Sequence, residues 1–222
     1  MQAVMTLPEI QENVPLGPRT TLGVGGPARC FASAASEDEL RGALVWAGER
    51  GLPAFVLGGG SNLVVSDAGF LGLVVRVDVR GIEAVPNGDV VHVTAGAGED
   101  WDGFVRHAVA RGWQGVECLA GIPGGVGGTP VQNVGAYGQE VADTIVGVRA
   151  FDRQGGTVRD LDAAECGFAY RRSRFNTDEM GRWVILSVTY ALRPGAPPAL
   201  AYLAEEYRAY CSSLGDEGPS AP

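Results

Sequence analysis

The stretch "LAGIPGGVGGTPVQNVGAYGQEV", residues 119–141, crowds seven of the chain's 34 glycines into 23 residues. No strand or helix interior suits that density, because glycine loses the most backbone freedom on ordering and brings no side chain to pack. Glycine also permits positive φ and removes the Cβ, so a planar ring or a diphosphate can lie on the bare backbone. Gln132 and Asn133 follow with amide donors and acceptors. The competing reading is a packed Ω-loop whose glycines serve only its own turns.

A second glycine run, "LGGGSN" over residues 57–62, lies between apolar stretches expected to be strands. Successive N–H groups at Gly58, Gly59 and Gly60 can converge into a nest for phosphate oxygens, with Ser61 and Asn62 as side-chain donors. A tight hairpin turn explains the same residues. Two such loops in one small chain seldom serve packing alone, which favours a ligand. Neither loop carries the G-x-G-x-x-G fingerprint: Leu63 stands where Gly58-x-Gly60 needs a third glycine, and Trp101 does so after Gly96-x-Gly98. A dinucleotide bound here needs a different scaffold.

A third stretch, "CGFAYRRSRF" over residues 166–175, sets three arginines beside aromatic residues near the expected start of a strand. Arginine offers a permanent planar charge that grips a carboxylate or phosphate at two points. A solvated basic edge is the favoured reading for Arg172 and Arg174, while Arg171 stays open between the two readings. His92 fits a half-buried strand position and His107 the polar side of a helix, so neither is assigned a catalytic role. Glu117 and Cys118 precede the long loop without a pattern to explain them.

Composition excludes several classes. Net charge is −9, which argues against a nucleic-acid binder. All 17 basic residues are arginine, so no lysine exists for a P-loop or a Schiff base. Four scattered cysteines show no C-x-x-C spacing, and two histidines cannot supply a multi-histidine metal site, so no metal is expected. No signal peptide and no apolar run of about 18 residues is present, pointing to a cytoplasmic chain with no membrane partner.

Element signals place a short strand at residues 29–32. A helix follows from an N-cap at Ser36, with Leu40, Leu44, Val45 and Ala47 as its apolar positions. Residues 54–57, 63–66 and 71–77 read as strands flanking the first glycine run. "VVHVTAGAGEDWDGFVRHAVARGW" reads as strand, turn and helix, and a hairpin turns at Gly155-Gly156. Residues 183–192 form the last clear strand, and residues 200–210 could be helical. The last dozen residues, rich in Gly, Ser, Pro and acid, read as a disordered tail. The class is α+β, with two subdomains meeting near residue 80 and no doubly wound sheet.

The motifs together resemble the UDP-N-acetylenolpyruvoylglucosamine reductase family (UDP-N-acetylmuramate dehydrogenases, MurB family) of peptidoglycan precursor synthesis. They are "TTLGVGGPA", "LGGGSNLVVSD", "AGAGEDW", "GVECLAGIPGGVGGTPVQNVGAYGQEV" and "CGFAYRRSRF", in that order, across about residues 15–203. The resemblance implies a two-subdomain FAD-binding fold of the vanillyl-alcohol-oxidase or PCMH type. Subdomain 1 would be residues 1–80 and subdomain 2 residues 81–197, the FAD-binding domain spanning about 24–195, with residues 198–222 a remnant and tail. It implies FAD as cofactor, with Gly58, Gly59, Gly60, Ser61 and Asn62 at the pyrophosphate. Gly121, Ile122, Pro123, Gly124, Gly125, Gly127, Gly128, Thr129, Gln132, Asn133 and Gly135 would lie along the ribityl chain and flavin ring. NADPH would reduce the flavin, which would pass hydride to the enolpyruvyl double bond of a UDP-sugar. Arg171 matches the family's catalytic arginine, and Tyr137 and Tyr202 would stand near the substrate. The family's proton-donating serine motif and C-terminal glutamate find no match here, so a chain without the substrate-binding domain is expected. The alternative to an active reductase is a flavin-holding module that does not turn over the natural substrate. A different oxidase of the same flavin fold ranks third, because the long loop and the Arg171 motif point to one family.

Overall fold

The computed structural model describes residues 6–195. Its first sheet is built from β1 (Gln11–Pro15), β2 (Pro27–Ala34), β3 (Ala54–Leu57) and β4 (Phe70–Val77), in the order β1-β2-β4-β3. β2, β4 and β3 run parallel, and β1 pairs antiparallel on the edge. Helix α1 (Glu37–Glu49) makes the crossover from β2 to β3. Its N-cap forms as its sequence requires: Ser36 Oγ accepts from the Glu39 N–H at 3.2 Å, and the Glu39 carboxylate accepts from the Ala35 N–H at 2.7 Å. The buried stripe is Leu40, Ala43 and Ala47; Val45, expected on it, is 41% exposed, because Ala43 occupies the sheet-facing turn.

The second sheet follows residue 80. It comprises β5 (Ile82–Asn87), β6 (Val90–Gly96), β10 (Ile145–Asp152), β11 (Thr157–Asp162) and β12 (Trp183–Pro194), in the order β11-β10-β12-β6-β5, all antiparallel. The short β7 (Trp113–Gln114) pairs with the end of β12. The strands β8 (Gly135–Ala136) and β9 (Gln139–Glu140) make a separate two-residue hairpin. Helix α2 (Trp101–Ala110) turns Trp101, Phe104, Val105 and Ala108 inward. Trp101, Phe104 and Tyr190 of β12 form an aromatic knot with ring centroids 4.8–5.9 Å apart.

The alternation of strand residues assigns the core. Cys30, Ala32, Leu73 and Val75 face α1 and join one continuous cluster with Val93, Trp101, Val148 and Leu186 of the second half. Phe31, Leu57 and Val74, on the other face of the first sheet, pack with Val14, Leu16 and Ala28 as a smaller cluster. Among the described residues no helix is long and apolar enough to cross a membrane.

Three expectations are corrected. Residues 63–66 form no strand, and Val64 is 73% exposed. The glycine run therefore turns no hairpin; it leaves the end of β3, whose partner β4 is parallel to it. Residues 166–175 do not lead directly into a strand either; β12 begins only at Trp183. They form a loop whose Ala169 and Arg172 bond to each other's backbone at 2.9 Å. Strands β1 and β5 escaped the sequence reading because both are sheet edges with mostly exposed residues, β5 carrying Pro86.

One polar cluster ties β10 to β12. The Arg182 guanidinium bonds Asp152 at 2.7 and 2.9 Å and Glu179 at 2.9 Å, while Arg174 bonds Glu179 at 2.8 Å. Arg182 holds the Asp152 carboxyl far below the usual carboxylate range, and Arg174 and Arg182 lower Glu179. A carboxyl depressed in the folded state stabilises at pH values above its unfolded pKa of about 4, and that contribution is lost as pH falls. Asp152→Asn is expected to lower the melting temperature at pH 7, and the gap to the parent to narrow below about pH 4 in melts followed by circular dichroism. A gap independent of pH would show that the ion pair does not carry the effect.

Candidate functional site: a glycine-walled cleft between the sheets

A cleft of about 300 Å³ opens between the two glycine runs. One wall is the turn after β3, with Gly58, Gly59, Gly60, Ser61 and Asn62. The other is Ile122, Pro123, Gly124 and Gly125, continuing through Gly128, Thr129 and Gln132. Phe55, Val56, Leu63, Val131 and Val134 supply apolar lining, and Asn176 closes one end.

The loop wall is fixed from behind by backbone bonds. Trp101 N–H donates to Gly124 O at 3.0 Å, Val126 N–H to Glu99 O at 2.9 Å and Gly127 N–H to Ala97 O at 3.0 Å. Asp102 accepts from the Gly121 N–H at 2.8 Å, and the Trp101 indole donates to Leu119 O at 2.9 Å. Thr129 Oγ1 bonds the buried Tyr190 hydroxyl at 2.9 Å, and Ser173 Oγ donates to Val131 O at 2.6 Å. Desolvation pushes Tyr190 above its ordinary pKa, so its hydroxyl stays neutral.

The glycines divide into two kinds. A Cβ on Gly59 would lie 2.8 Å from Gly124 Cα, and one on Gly127 would lie 2.6 Å from Ala97 Cβ. A Cβ on Gly125 would crowd Ala97 O at 3.2 Å. These positions are bare because the protein's own backbone presses on them. A Cβ on Gly58 or Gly128 would meet nothing within 4 Å, so these two face open space at the cleft.

The turn itself has free donors. None of the backbone N–H groups of Gly58, Gly59, Gly60, Ser61 or Asn62 donates to another group among the described residues. Gly60, at φ +71°, sits against Arg19 O, and its own carbonyl accepts from the Thr21 N–H at 3.0 Å. Gly60 is buried and Ser61 half-buried, while Gly58, Gly59 and Asn62 are exposed, so the turn presents unpaired N–H groups that an anionic acceptor can reach.

Not every expected residue lines the cleft. Asn133 is buried, and its amide is spent: Nδ2 donates to Glu140 at 2.7 Å and to Ala169 O at 3.1 Å, while Oδ1 accepts from the Ala142 N–H at 3.1 Å. Its side chain is a brace, with no donor left for a ligand. Gly121 and Gly127 lie behind the wall, where their N–H groups are bonded to Asp102 and Ala97. Gly135, Tyr137 and Arg171 form a lip next to Asn176. Arg171 Nη2 donates to Gly135 O at 3.1 Å, and Asn176 donates to Arg171 O at 3.2 Å. Tyr202 lies outside the described residues.

Arg174 is no solvated edge. It bonds Glu165 O at 2.9 Å and lies over Trp183 with its guanidinium 5.3 Å from the ring centre. Glu117 and Cys118 also find their reason: the Gln139 side chain donates to Glu117 and accepts from the Cys118 N–H at 2.9 Å, docking the β8–β9 hairpin. Sequence reading missed Asn176, whose type and setting carry no motif. It also missed a cluster of strain: Asn133, Tyr137 and Arg171 have φ of 45°, 50° and 54°. Such conformations in residues other than glycine gather at functional sites.

The FAD binding domain family profile matches residues 28–162, which contain both glycine runs and the cleft between them. The chain belongs to the FAD-binding domain family. It is 48% identical over 203 residues to the UDP-N-acetylenolpyruvoylglucosamine reductase of Salinispora arenicola, covering 91% of this chain and 55% of that protein. It is 42% identical to the reductase of the same name from Pseudomonas fluorescens, covering 96% of this chain and 61% of that protein. The chain thus spans a little over half the length of these relatives. Among solved structures, the UDP-N-acetylenolpyruvylglucosamine reductase (MurB) from Thermus caldophilus matches with a TM-score of 0.71 and 29% identity, over 93% of this chain and 70% of that one. Cholesterol oxidase at 17% identity and p-cresol methylhydroxylase at 12%, with TM-scores of 0.59 and 0.55, share the fold alone. The α+β, PCMH-type architecture expected from the motifs is the one observed.

The two kinds of glycine predict opposite behaviour. Gly127→Ala is expected to destabilise the chain by about 1–3 kcal/mol through overpacking against Ala97. Gly128→Ala should leave the melting temperature unchanged within error. Chemical denaturation of both variants checks this; equal stabilities would contradict the assignment of Gly127 to internal packing.

Proposed function

We propose that the cleft holds FAD and that the chain carries the flavin half of a UDP-N-acetylenolpyruvoylglucosamine reductase. In that reading NADPH supplies the electrons, and the substrate is UDP-N-acetylglucosamine enolpyruvate. The observation that carries it is the turn of unpaired N–H groups at residues 58–62, facing a wall where Gly58 and Gly128 leave room for a ligand. These residues fit the group: converging N–H donors suit the pyrophosphate, and bare backbone with apolar neighbours suits a ribityl chain and planar ring. The 42–48% identity to reductases of this name supports the substrate class.

When bound, FAD supplies hydride chemistry between a nicotinamide nucleotide and an unsaturated substrate. The chain's own residues do the rest. Gly58, Gly59, Gly60, Ser61 and Asn62 neutralise phosphate charge through N–H dipoles instead of lysine, of which the chain has none. Ile122, Val131 and Val134 keep the ring region apolar and exclude water. Arg171, held in position through both its guanidinium and its carbonyl, presents a fixed cation at the lip, where negative charge developing on the substrate would be stabilised. Tyr137, 57% exposed on the hairpin tip, stands beside it for the sugar nucleotide. Cys30, Cys118 and Cys166 are free thiols, in keeping with a cytoplasmic setting.

The test is to purify the chain, record a flavin spectrum, and follow NADPH oxidation with and without UDP-N-acetylglucosamine enolpyruvate. Substrate-dependent oxidation supports the reductase reading. Flavin retention without it would leave the flavin-holding module, and absence of flavin would overturn both. Gly128→Val is expected to lower FAD occupancy at least about 10-fold with the fold intact, since its side chain would enter the cleft. Arg171→Ala should keep FAD and lose about 100-fold or more in substrate-dependent turnover; loss of flavin instead would place Arg171 in the cofactor site.

A further inference from the structure

We infer that Arg76 and Arg19 form an anion subsite behind the glycine turn, where they hold the diphosphate of the bound dinucleotide together with the turn's N–H groups. The inference rests on the FAD reading above and adds a pair of side chains to it. A second hollow of about 270 Å³ adjoins the cleft, lined by Pro18, Arg19, Thr20, Thr21, Arg76 and the same Gly58 and Gly59. No carboxylate lines it.

The position follows from the sheet. β3 and β4 run parallel and pair Leu57 with Arg76, so Arg76 stands at the carboxyl ends of the strands where the glycine turn departs. Ligands of parallel sheets collect at that edge, because the loops there leave backbone donors unpaired. Arg76 is half buried, and its guanidinium makes no hydrogen bond or ion pair with any described residue. Arg19 lies over the Phe31 ring, 4.3 Å from its centre, and likewise has no carboxylate partner. Stacking on Phe31 steadies the guanidinium while leaving its N–H fork free. Two unneutralised guanidinium groups on one hollow are unfavourable neighbours until an anion joins them, in a chain whose net charge is −9.

A neighbouring hollow of about 340 Å³ is not the anion site. Arg76 reaches it too, but Glu99 and Asp100 line it, and Asp78 bonds Arg80 at 2.8 Å and cancels its charge. The carboxylates there repel phosphate, which leaves the carboxylate-free side to receive it.

The test compares the parent chain with Arg76→Gln and Arg19→Gln, measuring affinity for FAD by quenching of flavin fluorescence. Riboflavin, which lacks phosphate, and UDP serve as controls, and melting temperatures are recorded alongside. Arg76→Gln is expected to weaken FAD by about 10- to 100-fold, the worth of a charge-assisted hydrogen bond, with riboflavin, UDP and melting temperature unchanged. The salt dependence of FAD affinity should also become shallower. FAD affinity equal to the parent's overturns the subsite. Parallel loss of FAD and riboflavin also overturns it, by showing a packing role, and selective loss of UDP overturns the assignment to the cofactor. A parent chain that takes up no FAD would instead overturn the reading of the cleft itself.

Discussion

Three backbone hydrogen bonds, from Trp101, Val126 and Gly127 to Gly124, Glu99 and Ala97, hold the rest of the site in register. They pair the turn after β6 with the long glycine loop, two pieces of chain that are otherwise irregular. Backbone pairing at that distance tolerates no side chain between the partners, which explains why Gly125 and Gly127 are bare on their inner side. Once the loop is fixed there, its outer side becomes a wall, and Gly59 can press against Gly124 from the first sheet. The cleft is thus a by-product of close packing between two backbones, with its open positions, Gly58 and Gly128, on either side of the contact.

This arrangement answers the question that the glycine density poses, and the answer is divided. The sequence reading attributed the missing side chains to a ligand. Several are missing because one stretch of chain touches another, while Gly58 and Gly128 face open space at the cleft. Both readings were open at the level of composition, since a Cβ is excluded equally by a carbonyl of the same chain and by a bound ring. Only the positions of Ala97, Glu99 and Gly124 separate the two.

Much of the fold was legible where periodicity was strong. The Ser36 cap, the stripe of α2 and the hairpin at Gly155-Gly156 all form as their residues dictate. What failed did so for physical reasons. Residues 63–66 are apolar enough for a strand, yet the neighbouring edge of β4 is already taken by β3 and β2. Asn133 carries ideal ligand-binding groups, but a side chain with three good internal partners has nothing left to offer. The converse holds for Arg76, which sits in an ordinary strand pattern and gains meaning only when β3 and β4 are seen to end together.

The distribution of charge partners separates structural from available arginines in a chain that uses no lysine. Arg174 and Arg182 are locked to Glu179 and Asp152 and stacked on Trp183, so their cost of burial is offset inside the fold. Among the described residues Arg171 bonds a carbonyl through its guanidinium and no carboxylate. It is also held at φ 54°, beside two other strained residues, on a hairpin lip that could have relaxed if geometry were unimportant. Arg171 is exposed, so water solvates its charge, while the bonds from its guanidinium to Gly135 O and from Asn176 to its carbonyl fix its position. The same division applies at the far end of the cleft, where Arg80 is neutralised by Asp78 while Arg19 and Arg76 are not. Among the described residues, unneutralised guanidinium groups thus stand at both ends of the cleft, Arg171 on its loop and Arg19 and Arg76 beside the glycine turn, and in the proposed FAD reading both ends would face a negatively charged guest.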